Sequence, residues 1–210
     1  MLKLFYALNT CALASHIALE EIGAQHEAVR LDFGKNDQNK PEYLAINPKG
    51  RVPALITDRG ILTETPAILA YLAQSFPQAK LAPLSDPFEF ARAQAFNSYL
   101  CSTVHVAHAH GRRGKRWADD PVAIKDMQRK VPETVGACFE LIEQEMFAGP
   151  WVMGNAYSIC DPYLFTIAKW LESDTVDIAR FPKVQDHRKR MAERPAVKKA
   201  LAVELEQTAA

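Results

Sequence analysis

The spacing of apolar residues changes character a little over a third of the way along the chain. Leu2-Lys3-Leu4-Phe5-Tyr6 is a short, mostly apolar run of the kind carried by a strand covered on both faces. Leu13, Ile17, Ala18 and Ile22 then recur at helical spacing, and Gly23 is placed to end that helix. Val29, Leu31 and Phe33 alternate with Ala28, Arg30 and Asp32, the period-two pattern of a strand. A polar loop from Gly34 to Lys40 follows. Beyond it, two apolar pieces, Val52 to Ile56 and Ile61-Leu62, flank the turn signal Asp58-Arg59-Gly60. Ala67, Ile68, Tyr71 and Leu72 predict a closing helix. The order β-α-β then β-β-α describes a small mixed sheet with helices packed on it.

From Pro77 to Pro87 three prolines mark a linker, and strand signals stop. Asp86, Pro87 and Glu89 fall at N-cap, N1 and N3 of a new helix, a carboxylate version of the capping box. Asp120-Pro121 repeats the device. Ser158-Ile159-Cys160-Asp161 opens a segment apolar on nearly every side (Tyr163, Leu164, Phe165, Ile167, Ala168, Trp170, Leu171), which belongs in the middle of a bundle. Two registers fit Pro162: the fourth helical position after a Ser158 cap, or N1 after an Asp161 cap. Pro182 and Pro195 punctuate two further helices. The expected fold is α/β plus all-α, divided as residues 1–78, a linker at 79–86, and an all-helical domain at 87–210.

With 25 basic and 25 acidic residues the chain has no formal net charge, so nothing pulls it toward nucleic acid or an anionic membrane. No run approaches the length needed to cross a bilayer, and the N-terminus lacks the pattern of a signal peptide. The four cysteines, Cys11, Cys101, Cys138 and Cys160, form no C-x-x-C pair and fit a reduced cytoplasm better than a disulfide framework. These features predict a cytoplasmic protein without nucleic-acid or membrane partners.

Cys11 lies where an apolar strand runs into a helix, a position whose free N–H groups and dipole favour a thiolate; a small buried residue is the alternative. Asn47-Pro48-Lys49-Gly50-Arg51-Val52-Pro53 is the most distinctive motif. A cis Val52–Pro53 bond would turn the Val52 N–H and C=O outward to pair with an extended ligand; an ordinary turn is the alternative. Cys101, His105 and His108, at i, i+4 and i+7, share a helix face, but no fourth ligand accompanies them and no metal is assigned. Gly111 to Trp117 is a basic run, read as a solvated loop that could border a pocket and favour acidic substrates.

Tyr6 with Thr10-Cys11, the stretch Leu44 to Leu55, the stretch Leu62 to Leu69, His105, and the Ser158–Asp161 box together resemble the cytosolic glutathione transferases, most closely the bacterial beta class. The resemblance covers essentially the whole chain. It implies a thioredoxin-like, glutathione-binding N-terminal domain, a helical C-terminal domain supplying the electrophile pocket, and a homodimer. Val52, before a cis Pro53, is implied to pair with the cysteinyl part of glutathione, and Glu64 and Thr65 to hold its γ-glutamyl end. Arg51 is implied as a further contact and Tyr6 as a weaker one. Cys11 matches the cysteine presented to the glutathione sulfur, Thr10 is a second candidate to stabilise that sulfur, through its hydroxyl or its backbone N–H, and His105 matches a histidine near it. Ala12 stands where relatives often carry serine, and Val106 where some carry lysine. The missing lysine predicts a weaker electrostatic contribution from the second domain.

The implied activity is conjugation of glutathione, as co-substrate, to hydrophobic electrophiles. Two alternatives are thiol–disulfide exchange through Cys11 and a non-catalytic glutathione-binding or regulatory role.

Overall fold

The computed structural model describes residues 1–206. Its N-terminal part is a four-stranded sheet in the order β2-β1-β3-β4, from β1 (Leu2–Tyr6), β2 (His26–Arg30), β3 (Ala54–Thr57) and β4 (Gly60–Thr63). β1 and β2 run parallel; β3 is antiparallel to both β1 and β4. A parallel pair needs a crossover, and α1 (Ala12–Ile22) supplies it. Gly23, at φ 65°, ends α1 in the left-handed conformation that glycine adopts without strain.

Strand β2 stops at Arg30, two to three residues short of the alternating pattern. The cause is local: the Asp32 carboxylate accepts from the N–H groups of Gly34 (2.8 Å) and Lys35 (3.4 Å), capping a 3₁₀ turn that carries Phe33 away from the sheet. The short helix α2 (Pro41–Leu44) leads into the motif loop, and α3 (Thr65–Ser75) follows β4.

The linker expected between the two parts begins with a 3₁₀ turn, Pro77–Ala79, and is pinned where the Ile159 N–H donates to the Leu81 carbonyl at 2.8 Å. Helices α4 (Pro87–Tyr99), α5 (His105–Arg113), α6 (Pro121–Leu141), α7 (Cys160–Ala168), α8 (Pro182–Ala192) and α9 (Pro195–Glu206) complete the fold. A π-helical turn over Leu100–Val104 joins α4 to α5. Asp86 caps α4 as expected, through Phe88 N–H and Glu89 N–H, but Glu89 turns to Arg92 instead of closing the box.

Helix α7 starts at Cys160, so Pro162 stands at its third residue, between the two expected registers, and Ser158 braces the turn that leads in. The Ser158 hydroxyl accepts from the Cys160 N–H at 3.2 Å, while Asp161 Oδ2 accepts from the Ser158 N–H at 2.7 Å. Asp161 is fully buried, and its Oδ1 also accepts from the Val152 N–H (2.9 Å) and faces His187 Nε2 (3.0 Å). The box thus ties a loop and α8 to α7.

Helix α1 is buried on all sides from Ala12 to Leu19 and packs against α3, α7 and α9. One apolar cluster runs from Leu4, Leu55 and Ile68 to Phe96, Leu100 and Tyr163, so the sheet and the bundle share a continuous core. The α/β plus all-α expectation holds. Among the described residues no helix is long and apolar enough to cross a membrane.

Candidate functional site

A cleft of about 540 Å³ lies where the C-terminal edge of β1 and the starts of α1 and α3 face α5 and α7. Of the residues singled out from the sequence, Thr10, Cys11, Arg51, Val52, Pro53, Glu64, Thr65 and His105 line it. Tyr6 does not. It is fully buried, and its ring packs on His16 at 5.7 Å between centroids. An aromatic at the end of an interior strand fills the core, so a ligand in the cleft does not meet Tyr6.

The motif loop is held from beneath. The Val52–Pro53 bond is cis. The Arg51 carbonyl just before it accepts from the Tyr43 hydroxyl (2.6 Å) and from Asn47 Nδ2 (2.6 Å). Asn47 is itself 1% exposed, so its hydrogen bond to the Arg51 carbonyl is shielded from water. Tyr43 and Asn47 were not singled out individually by sequence reasoning, although Asn47 opens the motif; they position the loop.

Cys11 precedes α1 as its N-cap residue, yet its thiol is not activated. Burial pushes the thiol up from its ordinary value, and the nearby Thr65 hydroxyl and Arg113 guanidinium pull it down by less. The thiolate favoured by a helix start is therefore overruled by desolvation. The S–H faces the Val52 carbonyl at 3.6 Å, as a weak donor. Thr10 also has its hydroxyl proton committed, donating to the Ala7 carbonyl at 2.7 Å while its oxygen accepts from the Ala12 N–H at 3.4 Å. The Thr10 hydroxyl thus closes the turn into α1 and has no proton left for a ligand.

Glu64 adopts φ 72°, ψ 121°, a strained conformation for a residue with a side chain. Its carboxylate pairs with the Lys49 ammonium at 2.5 Å. The Thr65 hydroxyl, on a residue 3% exposed, completes no hydrogen bond of good geometry within the protein, stands beside the Cys11 and Tyr163 side chains, and sits at the wall of the cleft. An unpaired buried hydroxyl next to a helix start is a ready contact for a polar ligand.

His105 is neutral near physiological pH. Burial, together with the positive Arg113, Arg116 and Arg51, lowers its pKa to about 4. Its ring packs edge-on against Trp170, whose other neighbour is the stacked ring of His108. His108 in turn faces both Asp174 oxygens at 2.8 Å. Among the described residues Cys101, His105 and His108 do not bring their ligand atoms within 4.8 Å of one another.

The basic run does more than solvate a helix end. Arg113, Arg116 and Trp117 line the cleft opposite Arg51. Arg116 is lowered by burial and by the charges of Arg113 and Arg51, so the three guanidiniums are close enough to repel one another. Among the described residues none of the three forms an ion pair. Arg113, two turns after Val106, is a positive charge that bears on the Cys11 thiol.

A small mixed sheet with a cis-proline loop and a helix-start cysteine, closed over by a helical bundle, defines a thioredoxin-like protein carrying a helical second domain. Residues 1–74 match the glutathione S-transferase N-terminal domain family and residues 108–195 the glutathione S-transferase C-terminal domain family; the chain belongs to the glutathione transferases. It is 33% identical to Glutathione S-transferase GstA of Escherichia coli O157:H7, over 97% of this chain and 98% of that one. It is 26% identical to the Disulfide-bond oxidoreductase YfcG of Escherichia coli K12, over 96% and 94%. A glutathione transferase homologue from Sulfitobacter, solved with bound glutathione, superposes with a TM-score of 0.93 at 44% identity, covering 96% and 97%. A bacterial beta class enzyme from Sphingomonas chungbukensis gives 0.83 at 33%, covering 96% and 98%.

Proposed function

We propose that the protein conjugates glutathione to small hydrophobic electrophiles that also carry an anionic group. The observation that carries this reading is the single cleft into which the Val52 backbone, the Glu64–Thr65 helix start, the Cys11 thiol and the three arginines all open. Glutathione lies along the N-terminal wall. Val52 pairs with its cysteinyl amide, Thr65 and the α3 N-terminus receive the γ-glutamyl carboxylate, and Glu64 takes the ammonium that Lys49 now pairs with. Arg51 meets the glycyl end.

The attacking sulfur is that of glutathione. Its thiol loses a proton to solvent, the resulting thiolate attacks the electrophilic carbon, and the leaving group departs. A protonated Cys11 serves this step as a donor to the thiolate, alongside the positive field of Arg113. The electrophile sits between His105, Trp170 and Trp117, with its anionic group toward Arg113 and Arg116. The enzyme acts in the cytoplasm as a homodimer.

Exchange is the second reading, favoured by the presence of Cys11 in the cleft and by the similarity to a disulfide-bond oxidoreductase. In it, Cys11 as thiolate attacks a glutathionylated substrate, releases the substrate thiol, and a free glutathione resolves the mixed disulfide as oxidised glutathione. Running wild type and Cys11→Ala on an aromatic halide and on a small mixed disulfide separates the two. Conjugation that survives in the variant supports the transferase; loss of both activities overturns the assignment of the attacking sulfur. Binding of glutathione without turnover of either substrate would leave a regulatory protein.

A further inference from the structure

A second cavity, of about 690 Å³, opens at the far end of α1 from Cys11, between α1, β2 and α9. His16 and Glu20 stand one turn apart on α1, and His26 begins β2. Glu20 Oε1 lies 3.9 Å from His16 Nε2 and 3.5 Å from His26 Nε2, and one ligating atom from each residue falls within 4.8 Å of the others. Two donors each about 2.1 Å from a tetrahedral ion are about 3.4 Å apart, so the carboxylate already stands close to bonding distance across a shared ion from both imidazoles.

Two further observations point to a ligand at this place. His16 is 1% exposed and neither of its ring nitrogens has a hydrogen-bond partner, an arrangement that normally costs stability unless something fills it. His26 Nδ1 lies 2.9 Å from the Ala24 carbonyl oxygen. Donation there places the proton on Nδ1 and leaves the Nε2 lone pair facing Glu20, the tautomer and the backbone hydrogen bond that ligating histidines use. Nothing in the glutathione cleft accounts for either.

We infer that His16, Glu20 and His26 bind one divalent cation of the zinc, cobalt or nickel type, with water completing the coordination. Two imidazoles and one carboxylate suit such borderline ions better than calcium or magnesium, which take mostly oxygen. The ion ties α1 to β2 and takes no part in the glutathione chemistry. The Lys199 ammonium, 2.6 Å from Glu20 Oε2 and largely exposed, competes with it for the carboxylate. Removing that charge therefore tightens binding.

The test uses the full chain, freed of metal with a chelator and kept free of glutathione, which itself binds zinc. Calorimetric titration with zinc should give one site per chain. His26→Gln and Glu20→Gln should each weaken it at least tenfold, and Lys199→Met should strengthen it several-fold. Cobalt loading should give ligand-field bands without a thiolate charge-transfer band, which separates this site from the four cysteines. Zinc should raise the melting temperature of the wild type and not that of His26→Gln. Absence of stoichiometric binding, binding by His26→Gln and Glu20→Gln as tight as that of the wild type, or a thiolate band would overturn the inference.

Discussion

The Cys11 Sγ lies 3.6 Å from the Val52 carbonyl oxygen, so the cleft's own thiol leans on the backbone proposed to hold glutathione. A thiol whose pKa is raised by burial, with a carbonyl in front of it, is a proton donor at neutral pH and a poor nucleophile. Cys11→Ala should therefore leave conjugation of an aromatic halide within about threefold of wild type. Any exchange activity should fall by about a hundredfold, because exchange needs the Cys11 sulfur itself. Steady-state rates on the two substrates check both halves. Alkylation of Cys11 by iodoacetamide, followed by peptide mass spectrometry, should be slow at pH 7 and accelerate only in the alkaline range.

Tyr6 and Thr10 show how far the sequence reached and where it stopped. The order of strands and helices and the Asp86 and Asp120 caps are short-range patterns, and each appears where its residues stand, although Glu89 does not close its box; the cis Val52–Pro53 bond was legible only through the family resemblance. The sheet's alternation failed only after Arg30, where an aspartate cap outcompeted the ladder. Side-chain direction was not legible: Tyr6 and Cys11 are five residues apart, yet one fills the core and the other faces the cleft. Neither was the pull of Arg113 on Cys11, which depends on a fold contact across about a hundred residues of chain. The sign of the Cys11 shift followed from burial, a quantity that exists only once the chain is folded.

Tyr6→Phe keeps the ring that packs on His16 and leaves the cleft wall intact, so retention on immobilised glutathione should match wild type. Glu64→Ala, by contrast, should weaken retention by about tenfold, the effect of one charge-assisted hydrogen bond. Affinity chromatography with a glutathione elution gradient compares the two directly.

Arg113 and Arg116 are the proposed determinants of acidic substrates. Replacing both with alanine should raise KM for a carboxylate-bearing electrophile by about tenfold and change KM for a neutral analogue little. The same difference should shrink as ionic strength rises, because both arginines are at least partly open to solvent. Michaelis curves at low and high salt test this.

The Asp161 box anchors the bundle. Its buried carboxylate satisfies the Val152 and Ser158 N–H groups and faces His187, so Asp161→Ala strands several buried donors at once. The expected loss is about 3–5 kcal/mol in urea unfolding. Ser158→Ala, which removes only the hydroxyl that caps the Cys160 N–H, should cost about 1 kcal/mol.

His105 carries the pH dependence of stability on the cleft side. Its folded pKa, about 4, lies below the 6.5 of the unfolded chain. Above pH 6.5 both states are neutral at this residue and it contributes no slope. As pH falls from 6.5 toward 4 the unfolded chain takes up the proton first, and the native state loses up to about 3 kcal/mol relative to it, a loss complete once both states are protonated. Urea denaturation of wild type and His105→Gln should therefore give a stability difference that shifts against the wild type across that window and stays constant above it. An imidazole titration followed by NMR should place the midpoint near 4 in the free protein. Adding glutathione, whose thiolate brings negative charge beside the ring, should move that midpoint upward.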